Sequence, residues 1–364
     1  MKFWAIALLV IACMTIPLGS FPLSKASPND QAEIRSFVQA YFEAKYECFR
    51  RGDISPLKPF FLDSQSQGAR RELELTQVLL DWRVPRNLFY DDHSVVVNYD
   101  SIRLDTNAVT ITLNAVVSYR LRNHRVISRE ANNHTLVLDR HQGKWYVTSD
   151  WYEEPIGGMI DAGHSISTIR AWAFRQGDPL TENYREGDHE VCTSVNGPSS
   201  LAITYDRIKA VQYADAYWNQ YNPAYIDFSL LGGDCTNYVS QCLRAGNVPD
   251  DVSGHQGSQW WYNLNTHQYT PSWTSVSALY NYLMFNTLGG PKGTIATDPM
   301  LIARGDLVQT DFQQDGTWDH SAIVTEVWYE DTAYIYVNAH TTNRYRYYIG
   351  NYPGAKRLIR ISIR

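Results

Sequence analysis

From His93 to Glu154 the chain reads with a period of two. SVVVNYDSIRLD, AVTITLNAVVSYRL, HTLVLDR and KWYVTSDWYEE alternate apolar and polar residues, separated by Asp-Thr-Asn, Arg-Asn-His and His-Gln-Gly. Such alternation places one face of each run in a core and the other in water, which describes a half-buried strand. Short turns between the runs predict an antiparallel meander. Upstream the period is helical. Ile34, Val38, Tyr41, Phe42 and Tyr46 recur within Asp30–Arg51, which Gly52-Asp53 closes, and a second helix is expected from Arg70 to Trp82. Helices followed by strands predict a small accessory α+β unit over residues 30–154. No acid–base set is legible in it. Glycine and proline punctuate residues 155–200, which read as a linker with one short helix near Ile166–Phe174. A second unit over residues 201–364 opens with a helix from Tyr205 to Tyr221, its core face expected at Ile208, Val211, Ala214, Tyr217 and Trp218.

The N-terminus bears on compartment. Lys2, the apolar run Phe3–Leu18, Gly19-Ser20 and Ser24-Lys25-Ala26 follow the order of a secretory signal, so residues 1–26 are expected to be removed. At roughly 16 residues the run is short for a spanning helix. An uncleaved anchor, or lipidation at Cys13, is the alternative. A secreted or cell-envelope-associated protein is expected, with no stable membrane span in the mature chain. The formal net charge of -6 and the lack of a basic stripe argue against nucleic acid as a partner. Five cysteines are too few for a disulfide scaffold, and Cys48 with Cys192 is the pair open to speculation. His189-Glu190-Val191-Cys192 lacks further spaced ligands, so no metal is expected.

Chemistry concentrates in Gly232-Gly233-Asp234-Cys235-Thr236-Asn237-Tyr238-Val239-Ser240-Gln241-Cys242. Asp234 is a good N-cap and Gly246 a good terminator, which puts Cys235 in the first turn of a helix of about 11 residues. A thiol there meets the positive end of the helix, and its pKa is expected to fall from about 8.5. The same N–H groups can face the oxygen of an attacked carbonyl, and Gly233 and Asp234 are the candidate oxyanion and substrate-binding positions. Cys242, two turns on beside Val239 and Leu243, reads as core.

A cysteine nucleophile needs a base. After the strand begun by Gly305-Asp306-Leu307-Val308-Gln309, Trp318-Asp319-His320 leads into Ser321-Ala322-Ile323-Val324, so His320 heads a strand. Ala333 to Val337 returns antiparallel and ends in Asn338-Ala339-His340. A three-residue turn pairing 329 with 333 would set His320, Asn338 and His340 on one face, where either polar residue could orient the His320 ring. Trp260-Trp261-Tyr262 could line a sugar or peptide groove, with Trp260 as the candidate contact, or pack in the core.

In its order DCTNYVSQC, GDLVQ, DHSAIVTEV and YVNAHTTN, the segment from about 203 to 360 resembles the bacterial putative amidase domain, a family related to NlpC-type and CHAP-type peptidoglycan hydrolases. The resemblance implies an α+β papain-like cysteine hydrolase domain; the smaller unit before it lies outside the resemblance and is similar, in pattern only, to ketosteroid-isomerase-like cones. It makes Cys235 the nucleophile, His320 the base, and His340 ahead of Asn338 the third member. Such relatives use a polar oxyanion residue before the cysteine, and here Ser229 stands at that spacing, leaving the role unassigned. The implied reaction is hydrolysis of an amide in peptidoglycan or a peptide, with no cofactor. Two other outcomes compete: acyl transfer to an amine, as in transpeptidases and transglutaminases, and a non-catalytic wall-binding module.

Overall fold

The computed structural model describes residues 28–363 except 65, 106–107, 175–203 and 255–257. The expected signal segment, Cys192 and the His189 cluster therefore lie outside the described residues. Helices α1 (Pro28–Arg51) and α2 (Gln67–Arg83) precede strands β1 (Tyr90–Leu104), β2 (Ala108–Leu121), β3 (Ile127–His141) and β4 (Lys144–Trp151). β2 is buried and half-buried at strictly alternating positions, as its period of two requires. Short helices α3 (Pro155–Asp161) and α4 (Ile166–Ala173) follow. The second half holds α5 (Arg207–Tyr217), α6 (Cys235–Ala245), α7 (Pro271–Thr274), α8 (Val276–Phe285), and strands β5 (Lys292–Ile295), β6 (Leu307–Asp311), β7 (His320–Tyr329), β8 (Ala333–Ala339), β9 (Asn343–Tyr348) and β10 (Ala355–Ser362). No described helix is long and apolar enough to cross a membrane.

The strands of both halves form one sheet in the order β1-β2-β3-β9-β8-β7-β6-β10-β5, with β4 also on β3. The pairs are antiparallel. β3 makes the join. Its Arg129–Ala131 pair with β9, whereas its Thr135–His141 pair with β4. The two faces of β7 divide the cores. Ala322 and Val324 join a cluster continuous with Leu113, Val117 and Leu136 of the N-terminal unit, while Ile323 packs with Val239, Leu243 and Trp273 under the helices.

Three local readings change. The buried line of α5 is Ala210, Ala214 and the following Trp218, and Ile208 is exposed. Trp260 is no groove residue. It is fully buried, its ring 4.6 Å from that of Trp273 and its Nε1 donating to Ser240 Oγ at 3.2 Å. An apolar pattern cannot separate a core tryptophan from a groove one, but burial does. The N-terminal unit also holds a buried polar network that its sequence pattern hides. Lys45 Nζ lies 2.9 Å from Glu72 and 3.2 Å from Asp150, Asp150 pairs with His134 Nδ1 at 2.7 Å, and the Tyr41 hydroxyl donates to Asp150 at 2.9 Å. Burial opposes the Asp150 charge, yet His134 and Lys45 hold its carboxyl below the usual range.

Because Trp260 sits wholly in the core, Trp260→Ala should lower unfolding stability by about 3–5 kcal/mol in a urea titration. Trp261→Ala, at a half-buried position, should lose less than half as much.

Candidate active site

The chain enters α6 through Gly232 and Gly233, with φ of 108° and 109°. A Cβ on Gly233 would stand 3.0 Å from the Thr341 hydroxyl, so this glycine is fixed by close approach as well as by φ. The same hydroxyl accepts the Asp234 backbone N–H at 2.7 Å. Asp234 holds the N-cap position, but its carboxylate does not cap the helix. Oδ2 lies 2.7 Å from His340 Nδ1, and Oδ1 accepts from the Asn237 amide at 2.8 Å and the Phe228 N–H at 3.1 Å. The first turn of α6 thus keeps its N–H groups uncapped by any side chain. At the other end, Gly246 has a φ of -76° and the left-handed residue is Asn247. Gly246 is required for packing instead, since a Cβ there would meet the Tyr205 ring at 2.5 Å.

His340 Nε2 lies 2.6 Å from the Tyr217 carbonyl. Both ring nitrogens thus face acceptors, the Asp234 carboxylate and the Tyr217 carbonyl. Tyr238 stacks on the ring with centroids 4.0 Å apart, and Tyr221 lies at 4.7 Å.

Cys235 is 7% exposed. Its sulfur lies 3.7 Å from the Thr236 hydroxyl, and the Ser321 backbone N–H also acts on it. Thr236 and Gln309 Nε2 each donate to the Ser321 hydroxyl at 3.1 Å. The structure thus brings Cys235 to the start of β7, one residue from His320. The His320 side chain points opposite to that of Ser321, with its ring centroid 6.1 Å from Phe312 and 5.6 Å from Tyr352. His320 Nε2 is buried without a partner. Thr236, Ser321, Gln309 and Tyr352 escape a motif reading. Gln309 lies in a run legible only as a strand, and Tyr352 lies in a loop with no signal.

Asn338 and His340 do not share a face with His320. Tyr329 pairs with Ala333 as expected, but a bulge between Val324 and Glu326 moves the register so that Ile323 faces Asn338. A slip of one residue carries each side chain to the opposite face. Asn338 accepts from Thr325 Oγ1 at 3.0 Å and the Arg346 N–H at 2.7 Å, and donates to Asp215 at 3.0 Å. With His340 held by Asp234 and Tyr217, neither residue is bonded to the His320 ring.

The expected lowering of the Cys235 thiol is also reversed. Burial pushes it up, and the Ser321 N–H and Thr236 hydroxyl oppose this without overcoming it. Burial, with Arg344 adding, lowers His320 to about 3. At neutral pH the pair rests as thiol and neutral imidazole. Burial drives Cys242 well above the usual thiol range, in keeping with its place in the core.

Beside the site, Trp261, His267 and Tyr269 line an open hollow of about 760 Å³. Tyr269 meets Phe228 edge-on at 5.1 Å, and Phe228 is bonded to Asp234. Among the described residues no group of three or more His, Cys, Asp or Glu is placed to hold a metal.

The model of the Putative amidase domain family matches residues 204–360, which contain the whole constellation. YhbB of Bacillus subtilis (strain 168), described as uncharacterized, is 39% identical over 123 residues, covering 34% of this chain and 38% of its own length. YjcM of the same organism, also described as uncharacterized, is 29% identical over 197 residues, covering 49% of this chain and 44% of its own. The chain therefore spans less than half the length of these relatives. No solved structure matches. The family match points to an amide hydrolase.

Two outcomes follow. A histidine whose folded pKa is lowered to about 3 from 6.5 binds fewer protons folded than unfolded between those values. The stability this site contributes is present above pH 6.5 and lost as pH falls toward 3, by roughly 1.4 kcal/mol per unit of displacement. His320→Gln should therefore flatten the acid limb of a stability–pH profile. Separately, His340→Ala leaves the Asp234 carboxylate buried and unpaired, and should cost about 3–5 kcal/mol in chemical denaturation.

Proposed function

We propose that the protein is a cysteine-dependent amide hydrolase that works through an acyl-enzyme, with Cys235 as nucleophile and His320 as general base and acid. The observation that carries this reading is the Cys235 sulfur at the uncapped start of α6, touched by the residue that follows His320. The Cys235 thiol passes its proton to His320 as sulfur attacks the carbonyl carbon. Charge moves to the carbonyl oxygen, where first-turn N–H groups of α6 can receive it. His320 returns the proton to the leaving amine as the C–N bond breaks. Water, deprotonated by His320, then cleaves the thioester and restores the thiol. Each step balances with protein side chains and water, so the reaction calls for no cofactor.

His340 and Asn338 have a positioning role in this scheme. His340 fixes Asp234, and with it the backbone immediately before Cys235. Arrangement of a cysteine on a helix start with histidine on a neighbouring strand supports assignment to the papain-like hydrolases. The apolar N-terminal run supports export, and export together with the amidase match supports peptidoglycan stem peptides as substrate. The hollow lined by Trp261 and Tyr269 is suited to a peptide or sugar portion.

Purified wild-type protein incubated with peptidoglycan should release fragments whose masses, by mass spectrometry, name the amide bond cut. Cys235→Ala should abolish release, and His320→Ala should lower the rate by at least about a hundredfold. Release that survives Cys235→Ala would remove the nucleophile assignment, and cross-linked products would favour acyl transfer to an amine instead.

A further inference from the structure

Where the N-terminal unit meets the second half, a partly enclosed cavity of about 40 Å³ opens between α2, β3, β9 and the loop at 351–353. Its polar wall includes Arg83, Glu130, Asn132, Arg344 and Tyr352. A water needs about 10–15 Å³ measured this way, so the space holds a few waters or one small polar group.

The wall offers more hydrogen-bond donors than acceptors. Arg83 is 5% exposed and Arg344 4% exposed. Nε and Nη1 of Arg83, Nε of Arg344 and the Tyr352 hydroxyl are all buried without partners. Arg344 has its own carboxylate, Glu130, at 3.2 Å. Arg83 has none among the described ion pairs. Its Nη2 donates to the Tyr347 hydroxyl at 3.4 Å, and its guanidinium packs over Phe49 and Tyr90 at 4.9 Å and 5.3 Å. The remaining charged side chains on the wall are committed elsewhere: Lys45 to Glu72 and Asp150, and Glu154 to the Gly157 N–H at 2.8 Å. The unpartnered acceptor on the wall is Asn351 Oδ1. A buried guanidinium with open donors and no direct ion-pair partner, which feels Glu130 only through space while Arg344 binds that carboxylate, is unfavourable as it stands.

We infer that this cavity binds a carboxylate group, which accepts hydrogen bonds from Arg83, Arg344 and Tyr352 and supplies the direct ion-pair partner Arg83 lacks. A carboxylate is planar, small and acceptor-only, the complement of this wall. Tyr352 and Phe312, both on the cavity wall, are the rings against His320. A carboxylate anchored there would hold the rest of its molecule next to the cysteine. That second step, substrate recognition, rests on the proposed roles of Cys235 and His320, whereas the carboxylate site does not. The N-terminal unit would then contribute Arg83 directly to substrate selection.

The test uses full-length protein at pH 7 and constant ionic strength, titrated with N-acetylalanine and with its neutral analogue, N-acetylalaninamide. N-acetylalanine should raise the melting temperature and the amide should not. Arg83→Met should weaken apparent binding at least tenfold, and Tyr352→Phe should weaken it severalfold. If Arg83→Met does not fold, the Tyr352→Phe titration decides. Equal effects of the two compounds on wild type, or unchanged binding in folded variants, would mean that the cavity holds only water. In a parallel arm, N-acetylalanine should slow iodoacetamide alkylation of Cys235, and free acetate should not. Carboxylate binding without protection, or equal protection by acetate, would overturn the substrate-recognition step. Continued hydrolysis by Cys235→Ala would sink the catalytic reading and leave the titration result standing.

Discussion

A buried histidine–aspartate pair, His340 with Asp234, ties the start of α6 to the end of β8. Burying two such polar side chains is unfavourable unless each finds hydrogen-bonding compensation. Here the carboxylate and the Tyr217 carbonyl provide it for the ring, and Tyr238 and Tyr221 pack against it. The consequence reaches the site through Asp234. A carboxylate drawn toward His340 is unavailable as a helix cap, and so the first-turn N–H groups of α6 stay open beside the Cys235 sulfur. Thr341, the next residue, takes the Asp234 N–H and leaves room only for glycine at 233. Three consecutive features of the nucleophile loop are thus governed by residues 340 and 341.

The same close packing explains why the cysteine rests as a thiol. A helix N-terminus stabilises a nearby anion by about 0.3–1 kcal/mol, reaching about 2 kcal/mol in partly buried geometries. Desolvation of a thiolate can exceed that, and here the balance goes to burial. His320 is shifted against protonation by the same cause. A charge-separated pair is therefore uphill in the closed site. On the proposed mechanism, proton transfer must accompany attack, so that negative charge passes from sulfur to the carbonyl oxygen and never resides on an isolated thiolate.

Much of this arrangement was legible because it depends on local signals. The Gly-Gly-Asp approach and Gly246 bounded α6 at the residues observed, and alternation located β1–β4, β7 and β8. What escaped is non-local. A bulge near Thr325 has no signature in a run such as AIVTEV, yet it decides which face Asn338 and His340 present. Whether Asp234 caps its own helix or pairs with a residue 106 positions away is likewise a competition that spacing cannot settle. The pKa of Cys235 failed for a related reason, since helix position is visible in sequence and burial is not. Inward-facing His134 and Asp150 were hidden by sitting among alternating residues whose polar members normally face water.

The junction of the two halves follows from the sheet itself. Without β3, strand β9 would be an edge with unpaired N–H and C=O groups, a liability that chains cover or blunt. β3 covers it with only three paired positions, then diverges to pair with β4. A short seam of this kind gains from side-chain reinforcement, and the Arg344–Glu130 pair spans it at 3.2 Å. Beyond the seam lies a space bordered by Arg83, Glu130, Asn132 and Arg344 together with apolar and aromatic side chains such as Phe49, Leu79 and Phe312. β7 is the third strand from β3 in the sheet, with β9 and β8 intervening. Hydrogen-bonded β9 and β8 thus connect β3 to Asn338 and His340, and the buried His340–Asp234 contact connects that end of the sheet to the residue before Cys235.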